Sequence, residues 1–340
     1  MNLPEIPPLW LDEPDAQGRV TAARVNGQIS DTQAIAAREL IETGFTIIRN
    51  IAPGVLCDQV VADFARYLRD HSKYASKCVD AQGRHLRFVN FHGASQAALE
   101  LGNTQRIMSL LDYLFARSAG IYTSLLFEYG SQQPIHRDSP FFHTFPINYF
   151  FGVWFALEDI HPDSGPLMYV PGGHRVQVNH RAIFEEACRE NPHQSTTDIL
   201  NHALQRYYSA ISSEAEKVAP RRSVVLNKGD CAIWHPMLPH GGEKAKNPML
   251  TRKSMVFHCA PVDLQVYQHN SFFMADTQPP PRYGFREFRG RRYAVAGRPS
   301  FQVPPDESTS RTWVKSLVNQ LHKWTRNAAR KRMSSWKSVF

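Results

Sequence analysis

The segment GSQQPIHRDSPFFH, residues 130–143, sets a histidine and an aspartate two positions apart, His136 and Asp138. In an extended strand, residues i and i+2 face the same side, so such a pair can approach one metal ion from a single edge. The spacing alone is a weak signal, because His161-Pro162-Asp163 repeats it. Context separates the two copies. His136 and Asp138 follow the strand-like IYTSLLFEY and the turn GSQQP, where a ligand has access. Pro162 removes a ladder donor from the other copy, and Ser164-Gly165-Pro166 turns the chain directly after it.

A third ligand is expected from a distant strand, and GDCAIWHPMLPHGG (229–242) supplies two histidines. His240 sits in a loop before Gly241-Gly242, whereas its rival His235 ends a strand and lacks the glycine pair. Two imidazoles and one carboxylate on one face of an ion leave the opposite positions open, the arrangement of non-heme Fe(II) oxygenases. Arg252 and Ser254 come shortly after His240. A fixed guanidinium beside a hydroxyl suits a two-point grip on a carboxylate. The 5-carboxylate of 2-oxoglutarate would satisfy Arg252 while its oxo-acid end meets the iron; an ordinary surface arginine is the alternative.

These residues need elements to hold them. DTQAIAARELIETG reads as a helix with Asp31 as N-cap and Gly44 past its end, followed by the strand FTIIRN. A second helix runs from Pro53 to about Asp70 with Val60, Phe64 and Leu68 on one face, and residues 95–118 form a third helical region. From Ile121 the texture changes to short strands separated by turn residues, which suggests a barrel or a double-sheet jelly roll. The expected division is an extended lead (1–30), a jelly-roll domain (31–265) with a helical insertion at about 180–213, a Pro/Arg-rich extension (266–307) and a basic amphipathic tail (308–340).

Composition narrows the function classes. At 340 residues with 42% hydrophobic and 21% charged residues, the chain reads as soluble and globular. Its acidic, Pro-rich start does not serve as a secretory signal, and the apolar run INYFFGVWFAL is too short to span a bilayer. Five scattered cysteines fit neither a disulfide framework nor a zinc ribbon, so a reducing, cytoplasmic setting is expected and any metal falls to histidine and carboxylate. The net charge of +8 is carried entirely by eight basic residues after Ser308, which leaves the first 307 residues formally neutral. That neutrality speaks against nucleic acid as a partner. The tail places Trp313, Leu317, Leu321, Trp324 and Ala328 at helical spacing. Such a helix fits peripheral contact with an anionic membrane surface or acidic partner, non-specific nucleic-acid binding, or packing on the body.

The pieces GSQQPIHRD, GVWFALED, SGPLMYVPGGH, GDCAIWHPMLPHGG and TRKSMVFHCA, in this order over about residues 40–262, resemble the phytanoyl-CoA dioxygenase family of iron- and 2-oxoglutarate-dependent oxygenases. The resemblance implies an α+β, mainly β fold: a double-stranded β-helix (cupin-like) core with N-terminal helices packed on one sheet. It implies Fe(II) on His136, Asp138 and His240, with 2-oxoglutarate on Arg252 and near Trp154. Gln133 and Ser254 are carried over as further co-substrate contacts. The implied reaction consumes O2 and 2-oxoglutarate, releases succinate and CO2, and hydroxylates a small-molecule substrate. Two departures stand out: the residue between the metal ligands, often Gln in the family, is Arg137, and the turn often written PGSH is PGGH. Arg137 would meet an anionic substrate or pair with a neighbouring acid. Phe141, Phe142 and His143 follow the metal strand and would line the substrate mouth or simply pack. Asp138 argues against halogenating relatives, which lack that carboxylate. A non-catalytic jelly-roll binding protein and a nucleic-acid demethylase are the rival classes. Substrate identity and oligomeric state are not legible in the sequence.

Overall fold

The computed structural model describes residues 7–267, 269–274 and 283–302. The basic tail expected as a helix lies outside the described residues.

A short 3-10 turn at Trp10–Asp12 leads into α1 (Ala16–Val25) and α2 (Asp31–Thr43). Residues 16–25 are therefore helical, not part of an extended lead; Ala16, Val20 and Ala23 recur at helical spacing and are buried. Ser30, not Asp31, caps α2: its hydroxyl accepts from the Gln33 amide and the Gln33 side chain returns to the Ser30 amide. Gly44, at φ +77°, ends the helix in the left-handed region open to glycine.

The chain continues through β1 (Phe45–Ile48), α3 (Gly54–Asp70), α4 (Ser72–Ala75), β2 (Phe88–Val89), α5 (Gln96–Gly102), α6 (Gln105–Phe115) and β3 (Ala119–Phe127). Then come β4 (His143–Thr144), β5 (Phe151–Ala156), β6 (Leu167–Tyr169), α7 (His180–Glu190), α8 (Thr196–Glu216), β7 (Arg222–Val224), β8 (Cys231–Trp234) and β9 (His240–Gly242). The last elements are β10 (Ser254–Pro261), β11 (Val266–Tyr267), α9 (His269–Phe273), the hairpin β12 (Gly284–Phe288) and β13 (Arg291–Val295), and β14 (Ser300–Phe301).

The main sheet has the strand order β1-β8-β5-β10-β3-β2-β14 and is antiparallel throughout. A smaller sheet, β7-β6-β9, is antiparallel as well. Alternation along the strands separates two cores. Phe151, Val153 and Phe155 of β5 and Met255, Phe257 and Cys259 of β10 join the N-terminal helices in one apolar cluster. Trp154, Ala156, Ala232, Trp234 and Val256 face the other way and meet Leu167 and Val224 of the smaller sheet. The helices thus cover one face of the main sheet, and the smaller sheet closes over its other face.

The helical insertion, α7 and α8, builds a third cluster with Phe141, Phe272 and Phe273. The described part of the Pro/Arg-rich extension returns to the body, where β14 adds to β2 at the end of the main sheet. Among the described residues no helix is long and apolar enough to cross a membrane.

Candidate metal centre

His136 and His240 are cross-strand neighbours. The His136 amide donates to the His240 carbonyl at 2.9 Å and the His240 amide returns the bond at 3.0 Å. Such a doubly bonded antiparallel pair fixes the two side chains next to one another, and their ring centroids are 4.5 Å apart. The glycine pair after His240 has a steric cause: a Cβ on Gly241 would stand 2.6 Å from the Gln133 carbonyl oxygen.

Each imidazole is oriented through its Nδ1, which lies 2.8 Å from the Pro134 carbonyl in His136 and 2.9 Å from the Leu238 carbonyl in His240. A carbonyl only accepts, so Nδ1 carries the proton and the Nε2 lone pair faces inward, the tautomer a metal ligand needs. His136 Nε2 is 3.8 Å from Asp138 Oδ1, and His240 Nε2 is 3.4 Å from Asp138 Oδ2. Among the described residues these three form one cluster with its donor atoms within 4.8 Å of one another, all buried. Burial first, and then the His240 ring, holds the His136 imidazole down at about 3, so it is neutral at physiological pH. Burial pushes the Asp138 carboxyl upward, but His240 and His258 outweigh it and hold the group well below the ordinary carboxylate range.

A residue not singled out from the sequence completes the centre. Trp234 donates its indole N–H to Asp138 Oδ2 at 2.9 Å. His258, read from sequence as a packed histidine, stacks on Phe142 at 4.1 Å and brings its Nε2 to 3.7 Å from the same carboxylate oxygen. His235, the rival third ligand, points elsewhere, with its Nε2 3.2 Å from Asp12. His174 packs against it at 5.4 Å. The decoy His161 and Asp163 sit in an exposed turn.

The three residues open onto a cavity that Gln133, Trp154 and Arg252 also line. Arg252 is 2% exposed, and its guanidinium stands 5.5 Å from the Phe127 ring centroid and 5.7 Å from that of Trp154. Among the described residues its NH1 reaches only the Gly165 carbonyl, at 3.4 Å, and its Nε has no partner. Ser254 Oγ, on the first residue of β10, is likewise buried without a partner. Burial lowers Arg252 to about 10, which still leaves it charged at neutral pH. A buried cation and hydroxyl with unused donors call for an anionic ligand with several acceptor oxygens.

Of the residues expected at the substrate mouth, Phe141 and Phe142 line the cavity. His143 does not; its ring packs edge-on against Phe145 and Phe272. Arg137 does not line the cavity either. It is fully buried and points into the insertion, donating to the carbonyls of Gly173 and Val176 at 2.8 Å each and to Tyr207 Oη at 3.3 Å. His136 and Asp138 lie outside any named strand, His136 in an isolated bridge to His240, and the side chain between them points away from the cavity. Arg87 and Gln302, also missed from sequence, line the cavity from the far end of the main sheet.

The phytanoyl-CoA dioxygenase (PhyH) family profile matches residues 42–254. Peroxisomal phytanoyl-CoA dioxygenase of Mus musculus is 27% identical over 140 residues, 40% of this chain and 35% of that protein. The phytanoyl-CoA dioxygenase domain-containing protein 1 homolog of Dictyostelium discoideum is 26% identical over 173 residues, 51% of this chain and 56% of that protein. The chain thus spans about a third of the length of the mammalian relative. Among solved structures, the epimerase SnoN in complex with Fe3+, alpha ketoglutarate and nogalamycin RO superposes with a TM-score of 0.55 at 18% identity, over 78% of this chain and 98% of SnoN. EctD from S. alaskensis with 2-oxoglutarate and 5-hydroxyectoine gives 0.53 at 17% identity, over 81% of this chain and 88% of EctD. At these identities the likeness is one of fold. With the family profile covering well over half of its length, the chain belongs to the phytanoyl-CoA dioxygenase family.

Proposed function

We propose that this chain is an Fe(II)- and 2-oxoglutarate-dependent dioxygenase that hydroxylates a small molecule, built on a double-stranded β-helix core within residues 31–265. One observation carries the reading: the His136–Asp138–His240 cluster and the unused donors of Arg252 belong to a single cavity. Neighbours of the same fold support it, SnoN with Fe3+ and alpha ketoglutarate and EctD with 2-oxoglutarate.

The residues fit the missing groups. His136 and His240 would hold the metal through Nε2 and Asp138 through its carboxylate. All three approach from one side, which leaves the cavity side open to co-substrate and O2. Arg252 and Ser254 would bind the 5-carboxylate of 2-oxoglutarate, while Trp154 and Phe127 wall off the guanidinium from water and strengthen that attraction. When bound, iron supplies O2 activation, coupling decarboxylation of 2-oxoglutarate to succinate and CO2 with insertion of one oxygen atom into a C–H bond. Trp234 keeps the Asp138 carboxylate in its ligating orientation, and Phe142 and His258 form the wall beside it. The five unpaired cysteines support a reducing compartment.

The test is succinate release from 2-oxoglutarate under Fe(II) and O2. The oxygenase reading expects release by the wild type and none by His240→Ala. Retention of 2-oxoglutarate without succinate would instead mark the non-catalytic binding protein.

A further inference from the structure

Gln302 enters the cavity from outside the segment that matches the family, residues 42–254. It follows β14, whose Ser300 and Phe301 pair with Val89 and Phe88. The segment leading to it is firmly held. Arg291 grips the Asp112 carboxylate at two points, 2.9 Å each, and Phe301 packs on Phe88 with ring centroids 4.7 Å apart. The Gln302 amide donates to the Arg87 carbonyl at 3.0 Å, and its side-chain oxygen accepts from Arg87 Nε. A guanidinium only donates, so the carboxamide must turn its oxygen to Arg87 and its NH2 away. Among the described residues that Nε2 is buried without a partner, on a residue 1% exposed. A buried donor left unused in a native fold calls for an acceptor.

Charge says which kind. Among the described residues, the charged side chains lining the cavity are Arg87, Arg252 and Asp138. Ferrous iron and dianionic 2-oxoglutarate cancel each other, Asp138 cancels one arginine, and one positive charge remains. An uncompensated charge in a desolvated cavity is costly, so a bound molecule carrying one negative charge is favoured over a neutral one. The neighbouring wall is apolar, formed by Val89, Leu125, Phe142 and Tyr122. A bulge supplies Tyr122: the β3–β10 register shifts between His258 and Cys259, so Tyr122 is the extra residue and joins Thr123 at the cavity.

We infer that the primary substrate is a monoanion with an apolar body, most simply a carboxylate, whose acceptor oxygens are received by Gln302 Nε2 beside Arg87. This rests on the iron and 2-oxoglutarate reading and adds the substrate class. Gln302 is then a specificity-determining residue that the family-matching segment does not contain.

The probes are hexanoate, decanoate and benzoate, each against its primary amide. They are titrated calorimetrically and anaerobically into full-length protein holding Mn(II) in place of iron and saturated with 2-oxoglutarate. Expected is binding of at least one carboxylate, with its amide tenfold or more weaker. Gln302→Leu should weaken that carboxylate about tenfold and leave the 2-oxoglutarate affinity within twofold. Gln302→Glu, nearly isosteric, should abolish carboxylate binding in a protein that still melts cooperatively and still binds 2-oxoglutarate, which controls for folding. Equal binding of acid and amide, carboxylate affinity indifferent to both variants, or an effect confined to 2-oxoglutarate overturns the inference. If the wild type fails to bind 2-oxoglutarate in the first titration, the metal-centre reading falls and takes this one with it. Intact 2-oxoglutarate binding beside indifferent probes overturns this one alone.

Discussion

The indole of Trp234 and the carboxylate of Asp138 share a buried hydrogen bond of 2.9 Å, N–H to Oδ2. A carboxylate turns easily about its last torsion, so a fixed donor on one oxygen decides where the other points. Trp234 in turn lies across the backbone of β5, opposite Gly152 in the strand register. A Cβ on that glycine would come within 2.1 Å of the indole ring. The chain from Gly152 to Trp234 to Asp138 therefore ties strand packing to the orientation of the Asp138 carboxylate.

Trp234→Phe keeps an aromatic ring in the core while removing the donor and part of the indole's volume. Metal affinity is expected to fall about 10- to 100-fold, the usual effect of losing a partner of a metal ligand. Anaerobic titration with Mn(II) or Co(II) measures it. An unchanged affinity would mean the indole does not orient Asp138.

Gly152→Ala drives a methyl group into the Trp234 ring. Overpacking of this kind costs about 1–3 kcal/mol. Because the displaced group is Trp234, metal affinity should fall together with the denaturation midpoint. A loss of stability with full metal affinity would show that the core can absorb the methyl without moving the indole.

The His136–Asp138–His240 cluster was legible because it rests on local patterns: a histidine and an aspartate two positions apart after a turn, and a histidine before a glycine pair. Arg252 was legible through the neighbouring hydroxyl and the family-like segments. The elements between them also followed, from helical spacing in α3 and β texture after Ile121. Ser30 rather than Asp31 as the α2 cap is a one-residue difference, settled by which side chain reaches Gln33. Trp234, Arg87 and Gln302 were not legible. Trp234 looks like any core aromatic, and Arg87 and Gln302 meet only because β14 pairs with β2 across 212 residues of chain from Phe88 to Ser300. Arg137 stood in the motif, but its direction depends on an insertion whose docking no local pattern encodes.

Arg137→Met removes three hydrogen bonds and leaves the Val176 carbonyl without its donor, while the Gly173 carbonyl keeps the Val176 amide. A loss of about 2–4 kcal/mol is expected, since buried acceptors left unmade carry their full desolvation penalty. Chemical denaturation gives the total. Hydrogen exchange should locate the loosening in residues 176–216, with 2-oxoglutarate binding retained in the folded protein. A selective loss of substrate affinity with normal exchange there would return Arg137 to the substrate side.

Acid should destabilise the metal-free protein well before its carboxylates titrate. Burial holds His92 and His143 at about 4 and His174 at about 3. In the unfolded chain each titrates near 6.5. Between those values the unfolded state binds more protons, so stability falls as the pH drops below about 6.5. The slope approaches about 1.4 kcal/mol per pH unit for each imidazole. Urea denaturation of metal-free protein from pH 7.5 to 4.5 reads it. A flat profile would mean these rings take up protons while still folded.

The most direct test of the metal centre is an anaerobic titration of 2-oxoglutarate into the Fe(II)-loaded protein, followed by the visible charge-transfer absorption of the chelate. The wild type should develop the band with saturation. Arg252→Ala should develop the same band only at 2-oxoglutarate concentrations at least about tenfold higher, the cost of a charge-assisted contact. His240→Ala should not develop it at all. A band of equal strength in His240→Ala, or none in the wild type, would contradict an iron site built from His136, Asp138 and His240.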